Sequence, residues 1–221
     1  MPDILEVDSV IKSFYGNQVL TDIYLKCQTG DVIGILGRNG TGKTTLFKIL
    51  FGTLNAENCF IKINGKIYDK PYLTDGLVAF LPQDDFIPKH LTLERAARLY
   101  LSKEINEFFA DEEILQKVRH SKIANLSGGE LRYFAIKLLL NLPAIFILLD
   151  EPFNGVSPLI IGKIKIMIKN HAQNKAIILT DHDYRNVIDI ANRLLLLRDG
   201  GLKAISDPSE LINWGYLPEL K

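Results

Sequence analysis

Short unbroken apolar runs, separated by longer stretches of helical periodicity, set the outline of the chain. Residues Val32–Leu36, 77–81, 145–149, Ala176–Thr180 and 193–197 are dominated by Leu, Ile, Val, Phe and Ala. Strands covered on both faces read this way, which predicts a mainly parallel sheet under helices. Between the runs the period changes. Residues 44–51 read as a helix directly after a glycine-rich loop. Residues 92–101 place Leu93, Ala96, Ala97 and Tyr100 at helical spacing, with Thr92 as the N-cap. Residues 105–120 are charged and read as helical, and another helix follows Glu130. No strand pattern stands out between 84 and 125, so that stretch reads as a helical insertion. The alternation predicts an α/β domain. With no internal repeat, low-complexity segment or Gly/Ser linker, it holds one unit, not two in tandem.

Composition narrows the class. The 221 residues suffice for one domain with a full core, and 47% hydrophobic with 24% charged residues is an ordinary globular balance. Lys+Arg and Asp+Glu both number 26, so the basic surplus of most nucleic-acid binders is missing. Cys27 and Cys59 have neither CxxC spacing nor a nearby His. They read as two packed thiols in a reducing cytosol. The start, Met1-Pro2-Asp3-Ile4, lacks the blocks of a signal peptide. The longest apolar stretch, 138–149, is broken by Asn141 and Pro143 and falls short of the roughly 20 residues that span a bilayer. Any work at a membrane then needs another protein to hold the chain there.

Gly37-Arg38-Asn39-Gly40-Thr41-Gly42-Lys43-Thr44 fits G-x-x-x-x-G-K-[ST] in full, between a strand and a helix. The glycines let backbone N–H groups turn inward around phosphates, and the helix start adds its positive end. Lys43 is expected to reach the β- and γ-phosphates, Thr44 to place its hydroxyl on Mg²⁺, and Thr45 to lie against the nucleotide. By itself this loop fits a kinase or a GTPase equally well. Further along, the apolar run 145–149 ends in Asp150-Glu151. An acid at that strand end is placed to hold Mg²⁺, which is assigned to Asp150. Glu151 can take a proton from an attacking water or orient it. A solvent-facing strand terminus is the alternative, made less attractive by Pro152 and the apolar run.

Leu126-Ser127-Gly128-Gly129-Glu130, standing between the loop and the acid pair, gives the chain its closest resemblance. Together with the phosphate loop it resembles the ATP-binding cassette (ABC) ATPases over nearly the whole chain. The resemblance implies a P-loop fold: a mainly parallel core, an N-terminal antiparallel β part and a small helical subdomain. On that pattern 1–83 and 127–221 form the ATP-binding core and 84–126 the helical subdomain. It implies that Ser127, Gly128 and Gly129 cap ATP held by a second subunit. An ordinary Ser-capped helix is the alternative, and both can hold together. Gln83 resembles the Q-loop glutamine that senses Mg²⁺ and water. His182 resembles the histidine that contacts the γ-phosphate. Tyr15, followed by Gly16, resembles the aromatic that stacks on adenine, against the alternative of a structural tyrosine. Ser157 stands where the family usually has Asp, and the helical insertion looks short. His90, His120 and His171 lack partners in sequence and are expected on the surface.

The function implied is an ATP-hydrolysing subunit of a membrane transporter. It would dimerise around two ATP with a copy of itself or a paralogue, on the cytoplasmic side, through separate membrane subunits, with no nucleic acid as partner. Glu151-Pro152-Phe153, Gly155-Val156 and the tail Ser209-Glu210-Leu211 with Tyr216-Leu217 resemble subunits serving lipopolysaccharide export and branched-chain amino-acid uptake. A soluble ABC protein acting on nucleic acid or ribosomes would carry two cassettes or a long coiled-coil insertion. A phosphoryl transferase on the same loop would leave Leu126–Glu130 and His182 unexplained.

Overall fold

A computed structural model describes residues 1–101, 105–110 and 112–217. In chain order the elements are β1 (Ile4–Phe14), β2 (Asn17–Gln28), β3 (Val32–Leu36), α1 (Lys43–Phe51), β4 (Asn58–Ile63), β5 (Lys66–Ile67) and β6 (Val78–Leu81). Then come α2 (Leu93–Tyr100), α3 (Ile105–Phe109), α4 (Glu113–Val118) and α5 (Gly128–Asn141). The chain continues with β7 (Phe146–Asp150), α6 (Pro158–Ala172), β8 (Ala176–Thr180), α7 (Tyr184–Ile190), β9 (Arg193–Arg198), β10 (Gly201–Ile205) and α8 (Glu210–Asn213).

The central sheet has the order β10-β9-β3-β8-β7-β6. All its pairs are parallel except β10 with β9. Every residue of β3, β7 and β8 is buried, as their unbroken apolar runs predict. Successive residues feed opposite faces. Phe146 and Leu148 join a core with Ile33, Ile35 and α1, whereas Ile147 and Leu149 join one with Leu36 and α5.

The first of those cores is closed by an antiparallel sheet, β2-β1-β4-β5. Leu5, Val7, Leu20, Ile23, Leu25 and Cys27 point into it. Burial there pushes the Cys27 thiol up to about 12 and that of half-buried Cys59 to about 11, so both stay protonated packing groups. Three hairpins turn on two residues with positive φ: Tyr15-Gly16, Asn64-Gly65 and Asp199-Gly200. That pair of left-handed residues matches the twist of the flanking strands.

The other face carries α5, α6, α7 and the helices between 84 and 126. Thr92 caps α2, its hydroxyl accepting from the Arg95 N–H at 3.3 Å. The helix expected over 105–120 is instead two short ones, α3 and α4. Glu112 explains the break: it sits at the N-cap of α4 but caps nothing, because its carboxylate accepts from the Tyr133 hydroxyl at 2.6 Å and meets Lys137 at 3.1 Å. Gln116 reaches back to the Phe109 carbonyl at 3.0 Å, satisfying the end of α3. Residues 102–104 and 111 of the expected subdomain, and 218–221 of the expected core, lie outside the described residues.

The surface expectation holds for His90 and His120 and needs correction for His171. His90 is exposed, but exposed His120 lies 3.3 Å from a Glu94 oxygen. His171 is half-buried with Nδ1 2.9 Å from the Met167 carbonyl, and burial lowers its pKa. Its position on the last turn of α6, facing α5, is what takes it off the surface.

Candidate active site

Four parallel strands end on one side of the central sheet, where α/β folds bind their ligands. β3 runs into the glycine loop, β6 into Pro82 and Gln83, β7 into Asp150 and Glu151, and β8 into Asp181 and His182. A cleft of about 520 Å³ brings together Asn39, Gly40, Gly42, Lys43, Thr44, Thr45, Gln83 and Glu151. Sequence positions more than a hundred residues apart are thus gathered by strand register alone.

The loop is shaped by its glycines. Gly42 has φ 103°, and a Cβ there would come within 2.7 Å of Val19. Gly37 is pressed by neighbours, since a Cβ would sit 2.8 Å from the Leu197 carbonyl. Lys43 is 7% exposed and folds over the loop, donating to the Gly37 and Arg38 carbonyls at 2.7 and 3.1 Å. Burial lowers its pKa, opposed by Glu151, Asp150 and Asp181.

Asp150 is fully buried, and neither of its carboxylate oxygens has a hydrogen-bond partner among the described residues. Burial raises its pKa first of all; the nearby Thr44 hydroxyl, Arg132 and Lys43 pull it back. A buried carboxylate left unpaired is costly unless a cation meets it. The donor set, a carboxylate beside the Thr44 hydroxyl, is the oxygen chemistry that Mg²⁺ takes.

Glu151 adopts a left-handed backbone, φ 52°, which a side chain other than glycine's or asparagine's rarely takes. Its N–H donates to the Thr180 carbonyl at 2.8 Å. Its carboxylate accepts from the Asn154 amide at 3.3 Å and lies 3.9 Å from His182 Nδ1. Such strain costs on the order of 1–3 kcal/mol and persists only where neighbours enforce it.

Two enforcing residues escaped the sequence reading. Arg132, on α5, donates to the Pro82 carbonyl at 2.7 Å, to the Glu151 carbonyl at 2.9 Å, and to the Asp150 carbonyl. Its signal was a cation, one of two with Lys137, inside a largely buried helix. Asp181 is fully buried and accepts from the Phe153 and Asp183 N–H groups at 2.9 and 3.0 Å. One of its oxygens lies 3.5 Å from His182 Nδ1. Burial raises its pKa, and those two N–H groups offset the rise.

Other expected residues sit apart from the cleft. Tyr15 is wholly exposed at its hairpin tip, while the aromatic that lines the cleft is its neighbour Phe14. Ser127 makes a capping box: its Oγ accepts from the Glu130 N–H at 3.2 Å, and Glu130 accepts from the Ser127 N–H and hydroxyl at 2.8 and 2.7 Å. Ser127 and Gly128 are exposed at the start of α5 and are not among the cleft residues. A Cβ on Gly128 would meet nothing within 4 Å, so nothing inside the chain demands glycine there. Ser157 begins α6 but makes no cap bond with its side chain.

Comparison with known proteins finds relatives along nearly the whole chain. A family profile described as ABC transporter matches residues 20–154. The lipopolysaccharide export system ATP-binding protein LptB of Acidithiobacillus ferridurans is 30% identical, with 96% of this chain and 94% of that protein aligned. LptB of Escherichia coli K12 is 31% identical over 94% of this chain and 92% of its own. Among solved structures, an ATP-binding subunit of an ABC transporter aligns with a TM-score of 0.82 at 23% identity, covering 96% of this chain and 94% of that one. The relatives named are of the type that Glu151-Pro152-Phe153 resembles.

Proposed function

The chain belongs to the ABC transporter ATP-binding family, and from that premise we propose how its residues divide the work of ATP hydrolysis between two subunits. As a member it is an ATP-binding and ATP-hydrolysing subunit of an ABC transporter. In our reading the Gly37–Thr44 loop, with Thr45, cradles the phosphates. Lys43 swings from its two carbonyls onto the β- and γ-phosphates. The hairpin of Phe14 and Tyr15 offers its aromatic rings to adenine.

Asp150, Thr44 and Gln83 would hold Mg²⁺, which neutralises developing charge on the phosphate oxygens. Glu151 orients the attacking water and accepts its proton. His182, kept in place by Asp181, stands beside the γ-phosphate. Gln83 reports the state of the site to the helices of 84–126.

The observation that carries a second subunit is Gly128. No neighbour within 4 Å of a Cβ there requires glycine, yet it opens a helix at an exposed start. A close outside approach by an anion explains both, as helix starts favour negative charge. Ser127, Gly128 and Gly129 then complete the ATP site of the partner subunit. No helix among the described residues is long and apolar enough to cross a membrane, so attachment to the membrane is assigned to separate transporter subunits.

Glu151→Gln tests the assignment. The variant should bind ATP, lose turnover by at least about 100-fold, and accumulate as an ATP-bound dimer in size-exclusion chromatography. Full turnover would remove the role given to Glu151, and an ATP-bound monomer would remove the shared site.

A further inference from the structure

Arg38 faces two ways. Its carbonyl lies inside the phosphate loop, where it accepts from the Thr41 N–H at 3.3 Å, the Thr41 hydroxyl at 2.9 Å and Lys43 Nζ at 3.1 Å. Its guanidinium leaves the loop and donates to the Gly215 carbonyl at 2.8 Å, 177 residues further along the chain. A residue that holds Lys43 over the loop is thus itself held by the end of the chain.

That end has fastenings of its own. Leu211 of α8 is fully buried in the larger core. Gly215, φ 62°, closes the helix, its N–H donating to the Ile212 carbonyl at 2.8 Å, and the Tyr216 and Leu217 N–H groups fold back onto the Leu211 carbonyl at 2.8 and 3.1 Å. Two neighbouring carbonyls of this turn each take an arginine: Arg198, at the end of β9, donates to Trp214, and Arg38 donates to Gly215. Lys203 of β10 stands 5.4 Å from the centre of the Trp214 ring. The turn is therefore anchored in the core and on β9 and β10 without Arg38. Arg38, on an exposed stretch of loop, takes support from the turn more than it lends.

We propose that Arg38 is a positioning residue that ties the phosphate loop to the Trp214-Gly215 turn, so that the loop is shaped for phosphate before ATP arrives. A loop cut from the turn is ordered only when ATP binds, and that ordering is subtracted from affinity. A guanidinium in a phosphate loop has a second use, direct contact with ATP. The two uses are separable, because only the tie depends on where the Gly215 carbonyl stands. The inference rests on the reading that Gly37–Thr45 holds ATP.

Arg38→Gln, Gly215→Pro and the double variant, each in the full chain, test it, with Kd for ATP measured by calorimetry in Mg²⁺ buffer. Proline is locked near φ −65° and cannot take the φ 62° of Gly215. Gly215→Pro therefore moves the carbonyl and leaves every residue of the phosphate loop unsubstituted. Each single variant should raise Kd about fivefold. The double variant should bind no more weakly than either single one, because both cut the same tie. Unchanged affinity in either single variant overturns the proposal, even where that variant melts earlier. Losses that multiply in the double variant overturn it too and assign Arg38 to the phosphates directly. Failure of the unsubstituted chain to bind ATP would instead overturn the reading of Gly37–Thr45.

Discussion

Replacing Arg132 with methionine cuts three contacts at once and separates holding from catalysis. The guanidinium ties three backbone carbonyls together: Pro82 before Gln83, Asp150, and Glu151. A hydrogen bond to a charged group is worth about 1.5–3 kcal/mol. Burial of the guanidinium, which already lowers its pKa, takes back a share of that. Methionine also refills most of the space with apolar atoms. The net loss should be about 2–4 kcal/mol, or a Tm lower by roughly 5–15 °C for a chain of this size. The larger effect is local. Glu151 stays at φ 52° because Thr180 and Arg132 hold the N–H and C=O of the same residue. Freed at the carbonyl, it can leave the left-handed region and carry its carboxylate away from the water. A displacement of about 1 Å at a reacting group costs on the order of 100-fold in rate. Hydrolysis by Arg132→Met at saturating ATP, well below its Tm, should therefore fall about 100-fold. ATP affinity should change less than about threefold, because Lys43 and the loop glycines are untouched. Arg132→Lys, with one cation and no fork, should fall between the two. A variant that loses Tm but keeps kcat within a few-fold would refute the link between this arginine and Glu151.

Gly128→Ala should leave the melting temperature of the nucleotide-free chain unchanged or slightly higher, since its Cβ meets nothing and alanine favours helix; ATP-dependent dimerisation and hydrolysis should drop sharply, read by light scattering and phosphate release. Asp150→Asn should raise the thermal stability of the nucleotide-free chain at pH 7 by removing an unpaired buried charge, while abolishing the extra stabilisation that Mg²⁺ and ATP give together in the unsubstituted chain. Glu94 is held at about 2, below its ordinary 4.5, by Arg119 and Arg98. Its contribution is present above pH 4.5 and lost as the pH falls towards 2, so Glu94→Gln should lower the melting temperature at pH 7, leave it nearly unchanged near pH 2, and flatten the profile between the two.

What could be read in advance followed from burial and fixed spacing. β3, β7 and β8 are covered on both faces, so their apolar runs stand out, and the residues at their ends inherit defined positions. The antiparallel sheet is quieter. β1 and β2 are bulged where Ser9 and Asp22 take positive φ, which breaks the alternation that marks a half-buried strand. Asn64-Gly65 and Asp199-Gly200 carried a local signal for two of the hairpins. Arg132 and Asp181 were silent for another reason. They act on backbone groups, and a backbone carbonyl or N–H leaves no mark in a sequence. The place of Phe14 on the cleft and of Tyr15 at the tip depended on a turn that gives both of its residues left-handed backbones.

The core on the far side of the central sheet belongs jointly to two parts of the chain. Leu93, Ala96, Phe109, Leu115 and Ile123 of the inserted helices pack in one cluster with Ala79, Leu81, Ile147 and Leu149 of the strands. The insertion is therefore not a cartridge that evolution or a protein engineer can exchange by its sequence limits alone. Importing residues 84–126 from a relative would bring half of a jigsaw. The strand residues facing it would have to travel with it, so that drift in the inserted helices is yoked to drift in the strands they pack on.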